Sequence, residues 1–312
     1  MRHQIIRWLM KRFERVPPTD GYHLSEIFNH PAYVNGSAED RREIQRRSSL
    51  AKYEDEERFR WDAYFGAEIK PLLPGKVALD LGSFTGGRSV AWAEHYHLER
   101  IYGVDVRPDF AQAGCRFAAE RNVTGRFVTG IGERLPFRDG SFEAVLSFDV
   151  FEHTRNPERV LAECRRVLRP GGRLFVVFPG FFHPIEHHLG DVTYAPFLHY
   201  FFSGEQLVRA YNEIIAERGE AAAWYARRQP GLASWERGVT INGTTVRGFR
   251  RMICRTNWIV EHRPVLPLLR VGRRLAGRPF LRALSYLLAP FAHLPILEEI
   301  LCHRIIYILR KP

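Results

Sequence analysis

The sequence predicts an α/β fold built on a doubly wound, mostly parallel sheet. Three observations carry that expectation. A strand pattern at 77–81 runs through Gly82 into a loop of small residues and then a helix near Arg88. Strand and helix patterns alternate from there to Phe178, and an acidic residue, Asp105, closes the second strand about twenty positions after the glycines.

Composition sets the frame. The chain has 312 residues, 45% hydrophobic and 26% charged, enough to bury a full core. Cys115, Cys164, Cys254 and Cys302 lie far apart with no C-x-x-C pair, so neither a zinc ribbon nor a disulfide framework is expected and a reducing, cytoplasmic setting fits. The net charge of +11 is uneven: residues 1–16 carry +4 and residues 261–312 carry +6, which leaves 17–260 nearly neutral. A nucleic-acid enzyme would place its basic face around the catalytic cleft, so no nucleic-acid partner is expected. Basic residues mixed with apolar ones at both ends suggest instead a peripheral contact with the inner face of a membrane.

The elements follow in order. Residues 1–16 predict a basic amphipathic helix with Ile5, Ile6, Leu9 and Phe13 on one side, which either packs on the domain or rests on a lipid surface. The segment lacks the cleavage-site pattern of a leader, and no apolar run is long enough to span a bilayer. Val16-Pro17-Pro18 ends the helix, the polar stretch to Arg47 reads as loop, and a second helix is expected from Tyr53 to Ile69. Residues 1–70 thus read as an N-terminal helical cap on a core at 71–180.

Within that core, Gly82 and Gly86 stand where backbone must approach a ligand closely. A dinucleotide turn would ask for a third glycine where this chain has Phe84, which argues against a pyrophosphate and for a nucleoside ligand without phosphate. Further elements are a helix at 88–96, a strand at 100–105, a helix at 110–121, strands at 126–129 and 142–148, and a helix started by Asn156 and Pro157. Arg169-Pro-Gly-Gly172 is expected to break that helix before a fifth strand at 173–178.

The stretch Leu79-Asp-Leu-Gly-Ser-Phe-Thr-Gly86 resembles motif I of class I S-adenosylmethionine-dependent methyltransferases. Gly130 to Phe142 is similar to the family segment after strand three, Asp149-Val-Phe-Glu-His153 to the segment after strand four, and Arg166 to Pro179 to its signature before and within strand five. The resemblance implies a Rossmann-like seven-stranded sheet with an antiparallel last strand, and S-adenosyl-L-methionine as cofactor. It also implies a cofactor site at Asp80, Gly82, Ser83, Gly86, Asp105, Val106, Gly132, Glu133, Phe148 and Asp149. Ser83, Phe84 and Ile131 depart from the family pattern. Ile131 replaces the aspartate that would meet the adenine amino group, so backbone at Gly132 or Glu133 is expected to substitute.

Residues 181–243 read as an inserted substrate lid rich in aromatics and histidines. Methyl transfer to a hydroxyl is aided by a base of near-neutral pKa, so the catalytic candidates are His188 with Asp191, or His199. No metal is expected. Residues 244–312 complete the sheet with a helix at 245–255, strands at 258–265 and 303–309, and between the strands a basic and apolar helical excursion. His188-x-x-Asp191, Pro196-x-x-His199 and the closing residues are similar to methyltransferases of bacterial surface-polysaccharide machinery. That similarity implies O-methylation of a hydroxyl on a small or lipid-linked saccharide. Methylation of a quinone-type or other lipid ring, and a cofactor-binding protein without turnover, stay open as alternatives. The sequence does not fix the oligomeric state.

Overall fold

The computed structural model describes residues 2–14, 27, 30–58, 60–186, 188–190, 192–218, 231–235, 241–268 and 279–312. Its helices are α1 (Arg2–Arg12), α2 (Pro31–Val34), α3 (Ala38–Arg58), α4 (Asp62–Phe65), α5 (Gly87–His95), α6 (Pro108–Glu120), α7 (Pro157–Val167), α8 (Leu198–Phe201), α9 (Gly204–Arg218), α10 (Val246–Arg255), α11 (Pro279–Leu288) and α12 (Glu298–Leu301). The strands are β1 (Val77–Leu81), β2 (Arg100–Asp105), β3 (Gly125–Thr129), β4 (Phe142–Phe148), β5 (Leu168–Phe178), β6 (Ile259–His262) and β7 (Ile305–Arg310). They form one sheet in the order β3-β2-β1-β4-β5-β7-β6. β1 to β5 pair in parallel, and β7 runs antiparallel between β5 and β6. The doubly wound, seven-stranded architecture is the one expected.

The order reverses at β1, with β2 on one side and β4 on the other, so the strand ends at Leu81, Asp105 and Phe148 surround one crevice. Leu79, Leu81, Val145, Leu174 and Val176 pack on α7 and α10 on one face of the sheet. Trp61, Phe65, Trp92, Phe175 and Ile308 fill the other. Trp61 stacks on Trp92 at 4.3 Å between centroids.

Three local expectations need correction. The segment before Arg47 is not plain loop: α3 begins at Ala38, where the Ser37 hydroxyl accepts the Asp40 N–H and the Asp40 carboxylate accepts the Ser37 N–H. No apolar stripe announces this helix, because the residues it buries include Gln45, Ser48 and Ser49. They face the glycine turn, where a Cβ on Gly87 would lie 1.9 Å from the Ser49 carbonyl oxygen. The helix expected from Tyr53 to Ile69 is interrupted after Arg58. The buried Glu56 carboxylate accepts the Trp61 N–H at 2.7 Å, α4 follows, and a tighter 3₁₀ turn covers Gly66–Leu72. Finally, Arg169–Gly172 belongs to β5 rather than separating it from α7; Leu168 already pairs with Phe142 across an irregularity in register.

The N-terminal helix packs on the inserted region. Ile6 and Met10 are fully buried against Leu207, Tyr211 and Ile214 of α9. The basic side of α1 meets acids of α9: His3 bonds Glu213 at 2.7 Å, and Arg7 and Lys11 both pair with Glu217. Ile5, Trp8 and Phe13 remain exposed. No described helix is long and apolar enough to cross a membrane.

This packing makes a testable distinction along one helix. Ile6→Ala and Met10→Ala are each expected to cost about 2–4 kcal/mol in urea unfolding. Trp8→Ala, at a position 63% exposed, is expected to stay within about 0.5 kcal/mol of wild type.

Candidate functional site

The turn after β1 is held from three sides. The N–H groups of Gly82 and Ser83 both donate to the Val104 carbonyl of β2, at 2.9 and 3.0 Å. The Ser49 hydroxyl of α3 donates to the Thr85 carbonyl at 2.6 Å. Asp105 accepts the Phe84 N–H at 2.9 Å and the Arg107 N–H at 3.1 Å. Gly82 and Gly86 have φ of 75° and 81°; a Cβ at Gly86 would meet the Gly114 Cα at 2.6 Å. Phe84 also takes a left-handed φ, 50°. Its ring is turned onto Phe110 at 4.6 Å, beside Ile27, Tyr33 and Ile44. The departure from glycine therefore adds an apolar anchor for the N-terminal region while the turn keeps its course.

These residues fit an adenosyl group. The Asp105 carboxylate, at the end of β2, offers acceptor lone pairs of the kind a ribose diol needs. Val106 and Ile131, 65% and 52% exposed at the ends of neighbouring strands, give an apolar shelf. A Cβ on Gly132 would come within 3.3 Å of the Val160 side chain and 3.6 Å of that of Leu81. The Glu133 carboxylate serves elsewhere: it accepts the N–H groups of Arg155 and Asn156 at the start of α7. Asp80 is buried beneath the turn and accepts the Ser89 hydroxyl at 2.5 Å. Burial pushes its carboxyl up to about 7, against the opposing pull of Ser89 and Arg88.

Beyond β4 the surface changes character. The Phe148 ring has the Arg88 guanidinium over it at 4.2 Å and that of Arg304 at 5.3 Å. Asp149, with φ of 56°, pairs with Arg304, whose other terminal nitrogen meets Glu186 at 2.7 Å. Burial would raise the Glu186 acid, but Arg304, His183, His303 and His188 hold it down at about 2. Burial keeps His303 neutral, lowered to about 4. The next residues form a 3₁₀ turn, Phe151–His153, clamped by Asn242, whose amide donates to the Phe151 and Thr154 carbonyls at 2.6 and 2.7 Å. Burial and the nearby Asp149 push the Glu152 acid well up.

The structure brings His188 into this cluster, its ring 4.9 Å from that of His153 and at right angles to it. His199 stands apart, in α8 beside the rings of Phe181 and Tyr200. Asp191 lies outside the described residues. Where the inserted region adjoins Asp149, the side chains brought together are largely charged and polar. Arg304, Glu186 and His303 were not singled out from the sequence. His303 and Arg304 sit side by side before the last strand and Glu186 in the insertion, 118 positions from Arg304, so no local spacing joins the two segments.

Residues 79–176 match the family described as "Methyltransferase domain". The chain is 36% identical over 105 residues to a demethylmenaquinone methyltransferase of Thermus thermophilus, covering 33% of this chain and 48% of that protein. It is 29% identical over 164 residues to the demethylmenaquinone methyltransferase of Renibacterium salmoninarum, covering 52% and 61%. The chain thus spans about half to three-fifths of the length of these relatives. In fold it is similar to a chain from the complex between a methyltransferase activator of Haloferax volcanii and a methyltransferase. That likeness has a TM-score of 0.50 at 15% identity and covers 84% of this chain and 94% of the other.

The raised acid at Asp80 predicts a pH signature. An acid protonated more readily folded than unfolded favours the fold at low pH, and that contribution is lost as pH rises from about 4 to about 7. Relative to Asp80→Asn, the wild-type protein should lose stability across that window, by at most about 1.4 kcal/mol per pH unit, and level off above it. Thermal unfolding of both proteins at matched pH values measures the difference.

Proposed function

We propose that this protein, whose residues 79–176 form a methyltransferase domain with S-adenosylmethionine as its cofactor, methylates a hydroxyl of a saccharide or lipid-linked glycan. The observation that carries the acceptor class is the polarity of the wall beside Asp149. Glu152, His153, Glu186, His188 and Arg304 offer donors and acceptors that suit a polyol better than a flat apolar ring.

The cofactor supplies a methyl group on a positively charged sulfur. In this reading Asp105 takes the ribose hydroxyls, Val106 the adenine, and backbone at Gly132 and Glu133 the adenine edge. Gly82, Ser83 and Gly86 let the main chain come close. Asp80, Phe148 and Asp149 border the methionine end, where carboxylates favour the ammonium and sulfonium charges. The hydroxyl must sit behind the methyl carbon and lose its proton as it attacks. The cluster of Glu152, His153 and His188 is where that proton is released, which keeps His188 and sets His199 aside.

A second reading has one observation in its favour. Tyr286, Leu287, Phe291, Leu294 and Ile296 are exposed along one short stretch, within the segment 261–312 that carries +6. Such a patch suits a membrane surface, and both a lipid-linked glycan and a quinone would be met there. The relatives named as demethylmenaquinone methyltransferases support the quinone side.

Calorimetric titration with S-adenosylmethionine should give one saturable site. Asp105→Ala should weaken it about tenfold or more, the loss of hydrogen bonds to a charged acceptor. Methyl-labelled cofactor, offered with a lipid-linked oligosaccharide and separately with a demethylated quinone, then separates the acceptors. Label in a base-stable sugar ether supports the proposal, and label only in the quinone overturns it.

A further inference from the structure

Two clusters beside Asp149 carry metal-ligating chemistry. Glu152, His153 and His188 bring a carboxylate oxygen and two imidazole nitrogens within 4.8 Å of one another, and His183, Glu186 and His303 do the same. Their surroundings separate them. Glu186 already holds the Arg304 guanidinium at 2.7 Å. The His183 Nδ1 accepts the N–H groups of Ile185 and Glu186, so its Nε2 carries the proton and offers no lone pair. A cation there would face a guanidinium and an N–H.

In the first cluster the carboxylate makes no ion pair with a guanidinium among the described residues. Glu152 is only 4% exposed, and its Oε2 has no hydrogen-bond partner among the described residues. An oxygen buried in that state is costly, and a cation would satisfy it. Its Oε1 lies 3.7 Å from the His153 Nε2. Bonds of 2.0–2.2 Å to a tetrahedral ion set ligand atoms about 3.4 Å apart, close to that spacing. Glu152 and His188 both line the small cavity under Gly180, Phe181 and Thr244.

We propose that Glu152, His153 and His188 bind a divalent metal ion of the borderline class, zinc foremost, with a coordination position left open toward the acceptor. Two imidazoles and one carboxylate select such an ion over magnesium, which prefers an all-oxygen shell. The proposal deepens the acceptor reading above and rests on it for its role. The open position would take the acceptor oxygen and weaken its hold on its proton. That proton passes to water, the oxygen forms its bond to the methyl carbon, and the carbon–sulfur bond breaks with its electron pair kept by sulfur. His188 then acts as a ligand, and His199 takes no part.

The test uses untagged full-length protein stripped with chelator and titrated with Zn²⁺, with Co²⁺ as a spectroscopic stand-in. One equivalent should bind, and the cobalt spectrum should lack the thiolate band that the exposed Cys254 would give. Glu152→Gln and His153→Asn should each weaken binding tenfold or more while S-adenosylmethionine still binds as in wild type, which also certifies the fold. His153 is 40% exposed in its side chain, so its replacement perturbs packing least. No saturable zinc binding, a thiolate band, or affinity unchanged in both variants overturns the metal site and leaves the methyltransferase reading standing. Zinc binding without any cofactor binding would instead remove that reading and keep the site.

Discussion

The buried guanidinium of Arg304 ties together the parts of the site that the sheet alone does not. It stands just before β7, yet it pairs with Asp149 after β4 and with Glu186 in the insertion. Taking these charges out of water costs several kcal/mol per ion, and the attraction between them roughly repays it. The return is positional. Arg304 fixes the loop after β4 to the last strand and to the inserted segment, and its face lies over Phe148 and Tyr64. Asn242 completes the arrangement from the far side by clamping the turn that carries Glu152 and His153.

The cofactor side depends on a different constraint, the closeness of α3 to the glycine turn. Small and polar residues permit that approach, with Ser48 and Ser49 on the helix and Gly86 and Gly87 at the turn. A larger residue at Ser49 or Gly87 would force the two apart and move Thr85, whose carbonyl Ser49 holds. Phe84 could be accepted in a turn of this kind because α2, α3 and α6 supply an apolar recess for its ring. The unusual motif residue and the N-terminal region are thus complementary features.

Most of the sheet was legible because strands with Val, Leu and Phe patterns and caps such as Asn156 write themselves into local sequence. α3 was hidden for the reason just given: a helix that buries serine and glutamine against glycine has no hydrophobic period to read. The residues expected at the cofactor were placed by motif: Gly82 follows β1, Gly86 caps α5, Asp105 ends β2 and Asp149 follows β4. The cluster beyond β4 had no such motif. His188 was picked out by its residue type, but Arg304 gave no sign that it reached Asp149. At the N-terminus the fold takes the packing alternative: much of the basic face of α1 is answered by Glu213 and Glu217 of α9, a pairing only the fold reveals.

The distribution of charge around the acceptor wall bears on what enters it. Asp149 and Glu186 share the one Arg304 guanidinium, and burial pushes Glu152 toward its neutral acid, so two carboxylates meet one ion-pair partner there before any ion binds. A phosphate or carboxylate on the acceptor would be repelled at that depth, whereas a neutral sugar ring would find partners for its hydroxyls. The +6 carried by residues 261–312 is separate in sequence from those carboxylates, apart from Arg304 itself. A neutral sugar carried on a charged lipid link would meet both features if only the sugar entered beside Asp149. A metal ion held by Glu152 would shift that balance locally and draw in a hydroxyl oxygen rather than the anionic link.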